Sequence, residues 1–192
     1  TVNTIGIDKK GSSSPVNMNT STVTDELRLA TNNKSRVFSV SLKDRGSVFP
    51  GGHLANASYW YNSKVGFTTS TYYMDKLPDW LVRFNNKHYQ DSLARYGWNM
   101  GKYDYSLSTE DNSPYEDCFP NEKEPTFPHL SGKDMGEGFE MTPLANTYLC
   151  SMVRSLIEGE NIGGTGNTDF LAISFSSPDI LGHKFGINGI EM

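Results

Sequence analysis

The stretch "DFLAISFSSPDILGH", residues 169–183, predicts a strand that leads directly into a helix. Its first half is apolar at consecutive positions, which is typical of a buried strand covered by helices on both faces of a sheet. Ser177 suits the cap of the helix and Pro178 its first position. Asp179 and His183 then lie four residues apart on one helical face. They are either a pair of metal ligands or two solvated side chains.

The remaining pattern alternates strands and helices, which favours an α/β fold with a mostly parallel central sheet. "RVFSVSL", residues 36–42, has the composition of a buried strand, and the aromatic run 57–73 predicts a β-hairpin around Gly66. The predicted helices cover residues 22–32, 78–84, 88–97 and 142–159.

Residues 98–140 are acidic, contain several prolines and glycines, and show no sustained hydrophobic period. A loop of this length predicts an insertion or cap segment packed on the surface. We therefore expect one domain over residues 1–192, with 98–140 as its insertion. The chain begins at Thr1 and ends soon after Asp179 and His183, so we interpret it as an interior segment with a partial fold.

Composition excludes some classes of function. A net charge of -5 and a pI near 5.3 argue against nucleic-acid binding through a basic surface. No stretch approaches the roughly 18 apolar residues of a membrane span, so we expect no membrane partner. The spacing of Cys118 and Cys150 fits neither a zinc knuckle nor a redox pair, and leaves a disulfide open.

Lys43 and Arg45 follow the strand at 36–42 in the triplet "KDR". If the extended backbone continues, both side chains point the same way, because residues alternate across a strand. A guanidinium beside an ammonium suits a phosphoryl group with two negative charges. The alternative is a solvated turn, which is the more usual role of such a triplet.

Other polar and aromatic residues carry weaker signals. His53, His88 and His129 are not assigned to a metal, because their surroundings predict turn, helix and loop positions. We expect the hairpin aromatics to pack against each other across the strands, although they could also stack on a ligand. The "GGTG" at 163–166 lacks the lysine and the helix of a phosphate loop.

The stretches "SRVFSVSLKDRGSVFPGGHLANASYWY" and "TDFLAISFSSPDILGHKFG" resemble bacterial alkaline phosphatases with a threonine nucleophile. That group belongs to the type I phosphodiesterase/nucleotide pyrophosphatase branch of the alkaline phosphatase superfamily. "DELRLAT", "LPDWLVRFN" and "TPLANTYL" extend the resemblance over most of the chain. It weakens between about Gly97 and Gly138.

The resemblance implies a phosphate monoesterase with two zinc ions, exported to the periplasm. Asp179 and His183 would be ligands of one zinc, and Lys43 and Arg45 would bind the non-bridging oxygens of the substrate phosphate. The nucleophilic threonine and the other zinc ligands would lie outside residues 1–192. We therefore expect this chain alone to be inactive.

Two alternatives remain open. The first is a nucleotide phosphodiesterase or pyrophosphatase of the same superfamily. The second is a non-catalytic carbohydrate- or protein-binding domain whose aromatic hairpin and acidic loop form the contact surface. As a phosphatase segment the chain would have a partial fold whose exposed sheet edges could pair with a second copy, whereas a binding domain should fold as a monomer.

Overall fold

A computed structural model describes residues 2–7, 13–129 and 132–192, except for the side chains of residues 132–134 and 137. The chain divides into two compact units. Unit 1 contains Thr1–Lys87 and Leu149–Ser174, and unit 2 contains His88–Tyr148 and Phe175–Met192. The expectation of one domain with a cap segment over 98–140 stays a prediction.

Unit 1 contains a four-stranded mixed sheet with the strand order β3-β2-β1-β4. The strands are β1 (Val37–Ser41), β2 (Ala57–Asn62), β3 (Gly66–Thr68) and β4 (Phe170–Ser174). β1 is parallel to both of its neighbours, and β2 and β3 form an antiparallel hairpin. The mostly parallel sheet and the hairpin are confirmed, although the hairpin ends at Thr68 and does not reach residue 73.

The part of the chain that the structure describes contains six α-helices. They are α1 (Val23–Ala30), α2 (Asp44–Gly51), α3 (Asp79–Asn85), α4 (Tyr89–Ala94), α5 (Pro143–Glu160) and α6 (Ser177–Phe185). Short 3-10 segments cover Pro15–Asn17 and Gly132–Met141. The predicted helices correspond to α1, α3, α4, α5 and α6, whereas α2 was not predicted. In the described residues, no helix is long and apolar enough to span a membrane.

The start of α1 shows how local sequence determines these elements. The Thr22 hydroxyl accepts the Asp25 N–H at 3.2 Å, and the Asp25 carboxylate accepts the Thr22 N–H at 2.9 Å. This reciprocal pair is a capping box, and it satisfies amide groups that the first helical turn leaves unpaired. The helix therefore begins where the sequence predicts.

β1 is the buried strand of unit 1, since all five of its residues are buried. The expectation that β4 is covered on both faces is wrong for the described structure. β4 lies at the edge of the sheet, and Phe170 and Ile173 are 37% and 41% exposed. An apolar run predicts a strand, but its burial depends on neighbouring elements that the run itself does not specify.

α2 packs closely on the sheet because it has glycines where it faces the strands. A Cβ on Gly46 would lie 2.5 Å from the Ser41 hydroxyl oxygen and 3.0 Å from that of Ser174. A Cβ on Gly51 would lie 2.7 Å from the Ser39 hydroxyl oxygen. Small residues on both surfaces therefore let this helix approach the sheet directly.

Unit 2 is built around the predicted insertion. Residues 98–129 consist mainly of turns and bends, joined by an antiparallel bridge between Trp98 and His129. Residues 130 and 131 of the insertion lie outside the described residues. The irregular character of this region is confirmed. Cys118 and Cys150 are both free cysteines in the structure.

Candidate functional site

The carboxyl ends of the parallel strands β1 and β4 lie at the same end of the sheet in unit 1. Ser41 and Ser174 are partners in the parallel register and end their strands level with each other. In open α/β sheets, ligands bind beyond this end. Lys43 and Arg45 follow β1 here, which places the predicted cation pair at the expected end of the strand.

The prediction that strand alternation makes the Lys43 and Arg45 side chains point the same way is wrong. The backbone leaves the extended conformation after Lys43, and α2 begins at Asp44. Arg45 is therefore helical and exposed, and strand alternation does not relate its side chain to that of Lys43. The Lys43 N–H donates to the Ser41 hydroxyl at 3.1 Å, which holds this turn against the strand end.

The turn instead creates a helix amino terminus between the two cations. Lys43 is the residue before the first turn of α2, and its side chain caps no amide. Free N–H groups and the helix dipole favour an anion at such a position. Asp44 opposes this, because its carboxylate lies in the same turn and accepts hydrogen bonds from the Ser13 hydroxyl and the Arg45 N–H.

α6 in unit 2 carries the predicted metal-ligand pair on its exposed face. Ser177, Leu181 and Phe185, spaced four apart, are buried. Asp179 and His183 lie on the other side, with side chains 62% and 78% exposed. The Asp179 carboxylate and the His183 Nε2 are 3.6 Å apart. The prediction that these two side chains share a helical face is confirmed.

The cap of α6 differs by one residue from the expectation. Ser176, not Ser177, is the residue before the helix, and its side chain makes no capping hydrogen bond. Pro178 accordingly occupies the second helical position. Sequence could not distinguish two adjacent serines as caps, because both have a suitable hydroxyl.

The donors on α6 suit a zinc ion but supply only part of a site. A carboxylate and an imidazole are ordinary zinc ligands, and zinc sites need three or four protein groups. Among the side chains that the structure describes, no group of three or more His, Cys, Asp or Glu residues could hold a metal. Asp179 and His183 therefore amount to at most two of the ligands that a zinc ion would need.

A buried histidine in unit 2 was missed by sequence reasoning. His129 Nδ1 lies 3.0 Å from the Glu122 carboxylate and Nε2 lies 3.6 Å from that of Glu191. Burial disfavours the charged ring, but hydrogen bonds and charge interactions with Glu191 and Glu122 outweigh it and raise the pKa of His129. No periodic pattern marks these residues, since all three lie outside the helices and strands.

The aromatic hairpin of unit 1 is part of the core. Tyr59, Trp60 and Tyr61 are buried, and the Tyr59 ring meets Trp80 edge-on at 5.7 Å. The expected packing across the strands is confirmed for Tyr61, whose ring lies 5.9 Å from that of its β3 partner Phe67. These buried aromatics are therefore not available as the contact surface that the binding-domain alternative required.

Unit 2 also contains a cavity of about 580 Å³. Its walls include Trp98, Tyr103, Tyr105 and Phe127, together with Asp104. An aromatic and acidic wall of this kind could hold a small organic ligand. The structure is therefore compatible with one part of the binding-domain alternative, namely a contact surface formed by the acidic loop.

Comparison with known proteins gives close relatives over nearly the whole chain. It is 43% identical over 198 residues to alkaline phosphatase PhoV of Synechococcus elongatus. It is 45% identical over 196 residues to a calcium-transporting ATPase of Myroides odoratus, and 41% identical over 192 residues to alkaline phosphatase PafA of Elizabethkingia meningoseptica. These matches cover 100%, 97% and 95% of this chain. No family model matches the chain.

Solved structures agree with these relatives. The crystal structure of wild-type PafA matches with a TM-score of 0.93 and 41% identity, over 99% of this chain and 38% of that chain. The chain is a homologue of the alkaline phosphatases PafA and PhoV. A PafA mutant with a threonine, an asparagine, a lysine and an arginine replaced also matches with a TM-score of 0.93, at 39% identity, over 100% of this chain and 39% of that chain.

The homology confirms the α/β fold of the alkaline phosphatase type. This segment covers 36% of PhoV, 36% of the Myroides relative and 35% of PafA, so it spans little more than a third of its relatives. This coverage agrees with the prediction that the chain is an interior segment of a longer protein. Lys43 and Arg45 lie in unit 1, and Asp179 and His183 lie in unit 2.

Proposed function

We propose that the chain is a segment of an alkaline phosphatase that hydrolyses phosphate monoesters through a phosphothreonine intermediate. The observation that carries this proposal is the identity of 43% with PhoV and 41% with PafA over nearly the whole chain. The threonine would lie outside these 192 residues, and the segment alone would be inactive. This function places the parent protein among the phosphoric monoester hydrolases.

Asp179 and His183 would bind one of two zinc ions in the full-length protein. Their donor atoms lie 3.6 Å apart on the exposed face of α6, where both can turn toward an ion. Bound zinc lowers the pKa of a coordinated hydroxyl and stabilises developing negative charge on oxygen. The role of α6 is to present both ligands together on one rigid element.

Lys43 and Arg45 would bind the non-bridging oxygens of the substrate phosphate. Both residues lie beyond the carboxyl end of β1, at the amino terminus of α2, which itself favours an anion. The lysine and the arginine replaced in the PafA mutant also stand two positions apart. Two cations suit a monoester with two negative charges better than a diester with one.

We retain three alternative functions. A nucleotide phosphodiesterase or pyrophosphatase of the same superfamily would share the metal site but not the need for two cations. The Myroides odoratus relative is named a calcium-transporting ATPase, so ATP is a substrate worth testing. A non-catalytic binding domain would use the cavity of unit 2.

The proposal includes a location and partners. We infer export to the periplasm, a small phosphate monoester as the ligand, and no nucleic-acid or membrane partner. Association of the isolated segment with a second copy would use the edge of β4. The partial exposure of Phe170 and Ile173 on that strand supports this.

The test compares substrates in the full-length protein. Hydrolysis of p-nitrophenyl phosphate, bis-p-nitrophenyl phosphate and ATP is measured for the wild type and for Lys43→Ala and Arg45→Ala. We expect each substitution to reduce the preference for the monoester by roughly tenfold or more, since a lost contact to transferring oxygens costs about 10² in rate. Arg83→Ala and Lys87→Ala, at exposed positions in unit 1, are the matched controls.

Each result has a definite meaning. Unchanged monoester preference in both variants would refute the role of Lys43 and Arg45. Stronger diester or ATP hydrolysis in the wild type would favour the phosphodiesterase or the ATPase alternative. Loss of zinc binding on Asp179→Asn or His183→Asn is expected, and retained stoichiometric zinc would refute the metal assignment.

A further inference from the structure

The interior of unit 2 encloses a histidine that the proposed function does not use. The His129 side chain is 1% exposed, and its ring centre lies 4.3 Å from that of Phe119 and 4.5 Å from that of Phe127. Trp98 lies 5.3 Å away, and its backbone pairs with that of His129. An imidazole held this tightly among aromatic rings has little freedom to change its orientation.

Two carboxylates meet opposite edges of this ring. Glu122 faces Nδ1 and Glu191 faces Nε2, with side chains 7% and 0% exposed. Nδ1 is within hydrogen-bond distance of Glu122, whereas Nε2 lies just beyond that distance from Glu191, so the second contact is a charge interaction that requires a ring protonated on both nitrogens. Because the two nitrogens point in opposite directions, the three side chains do not converge on a single ion. The arrangement is therefore a buried charge contact and not a metal site.

The contact joins the insertion to the segment around α6. Glu122 and His129 both belong to the insertion, whereas Glu191 follows α6 along the chain. Phe185, the last residue of α6, stacks against Phe119 at 5.3 Å and lies 5.8 Å from the His129 ring.

A second contact between the insertion and α6 lies nearer the surface. The Asp117 N–H donates to the Lys184 carbonyl oxygen at 3.0 Å, and their side chains form an ion pair at 3.2 Å. The other charged side chains on these elements include this pair, Asp111, which accepts the Phe127 N–H, and Asp104, which lines the cavity of unit 2 together with Glu191. The buried contact is distinguished from them by its desolvation, which makes an unpaired charge there costly.

We propose that His129 acts through Glu191 as a positioning residue that fixes the orientation of α6. Burial of Leu181 and Phe185 selects the inward face of α6, and the contact with Glu191 fastens the chain just beyond the helix. Together they determine the direction in which Asp179 and His183 project. The functional consequence rests on the proposed zinc site, whereas the orientation of α6 is tested independently of it.

The experiment uses two chemically matched variants of the full-length protein. Glu191→Gln removes the charge that ties His129 to the segment after α6, and Glu122→Gln makes the same change within the insertion. We expect Glu191→Gln to reduce the protection of α6 amides from hydrogen exchange and, by loosening the helix that carries both proposed ligands, to weaken zinc binding by about tenfold, the low end of the effect of residues that orient metal ligands. Glu122→Gln should leave zinc binding within about twofold.

His88→Gln is the histidine control, because His88 is exposed and its ion pair with Asp91 is at the surface. Equal effects of Glu191→Gln and Glu122→Gln, or no effect of Glu191→Gln on α6, would overturn the proposal. If wild-type protein binds no zinc, the proposed function fails while the exchange result still decides the orientation of α6.

A measurement on the wild type avoids any dependence on how the variants fold. The protonation of His129 is followed by NMR while α6 exchange protection is recorded over the same pH range. We expect protection of α6 to fall as the His129 ring loses its proton, and the step to disappear in Glu191→Gln. Protection that stays constant through the titration of His129 would contradict the proposal.

Discussion

Replacing Gly46 by alanine tests how α2 is docked at the candidate phosphate-binding edge. A Cβ at this position would lie 2.5 Å from the Ser41 hydroxyl oxygen and 3.0 Å from that of Ser174. Both serines are the last residues of their strands, and Ser41 is fully buried. The new methyl group therefore forces the first turn of α2 away from the sheet, or forces both hydroxyls to move.

The expected loss of stability follows from two opposing effects. Overpacking a tight contact costs about 1–3 kcal/mol. Alanine in place of glycine in a helix returns up to about 1 kcal/mol, and less in a first turn. We therefore expect Gly46→Ala to lower the free energy of unfolding by about 1–2 kcal/mol, or the Tm by about 2–8 °C for a chain of this size.

Gly182 in α6 provides the matched control. A Cβ there would meet only the Met192 side chain, at 3.8 Å, which is an ordinary contact. Gly182→Ala should therefore stabilise the protein by about 0.5–1 kcal/mol through helix propensity alone. Opposite signs for the two substitutions would show that the close approach of α2, and not glycine itself, sets the effect.

Urea unfolding of a double-mutant cycle measures the contact directly. Ser41→Ala removes the oxygen at 2.5 Å, so the loss caused by Gly46→Ala should be smaller in that background by about 1 kcal/mol. Our account of α2 fails if Gly46→Ala is as stable as the wild type. It also fails if the two substitutions are additive, because then the hydroxyl is not what the methyl group meets.

Three further predictions concern stability and association. The Asp25 carboxylate loses hydration on burial, but it accepts N–H groups of Leu54 and Thr22, which lower its pKa below 3.8. Its contribution is present above that pH and lost as pH falls through the lowered value, so Asp25→Asn should cost about 1–3 kcal/mol at neutral pH in urea unfolding and flatten the acid limb. The pKa of His129 is raised above 6.5 by its carboxylates despite burial, so its contribution is complete below pH 6.5 and declines as pH rises through the raised value. His129→Gln should remove that decline, and an unchanged pH profile would contradict the assignment. Ile173→Lys on the exposed side of β4 should reduce any dimer of the isolated segment to monomer in analytical ultracentrifugation, whereas a persistent dimer would place the interface elsewhere.

Local chemistry explains which parts of the fold could be predicted. The capping box of α1 involves residues three apart, and the apolar stripe of α5 repeats within the helix itself. Such signals need no distant partner, so sequence alone places these helices to within a residue or two. The i,i+4 relation of Asp179 and His183 is of the same kind, and the structure confirms it.

The features that sequence missed depend on distant contacts. α2 contains Gly46, Pro50 and Gly51, which are poor helix formers, and its stability comes from packing against β1 and β2. The exposure of β4 depends on the absence of a second neighbour in the described sheet. The surroundings of His129 bring together Glu122 and Glu191, which are 69 residues apart in sequence numbering (191 minus 122).

The exposure of Asp179 and His183 is compatible with both interpretations that the sequence left open, a pair of metal ligands and two solvated side chains. An exposed ion pair of this kind contributes only about 0–1 kcal/mol to stability, so the fold does not require it. The inward residues Leu181 and Phe185 would hold α6 equally well with any polar pair on the outer face. Packing therefore leaves the identity of these two residues unconstrained, whereas a bound metal ion would constrain both. The homology with alkaline phosphatases supports our proposal of a metal ion at this face, and in that proposal the buried contact of His129 would hold α6 and both ligands in a constant direction.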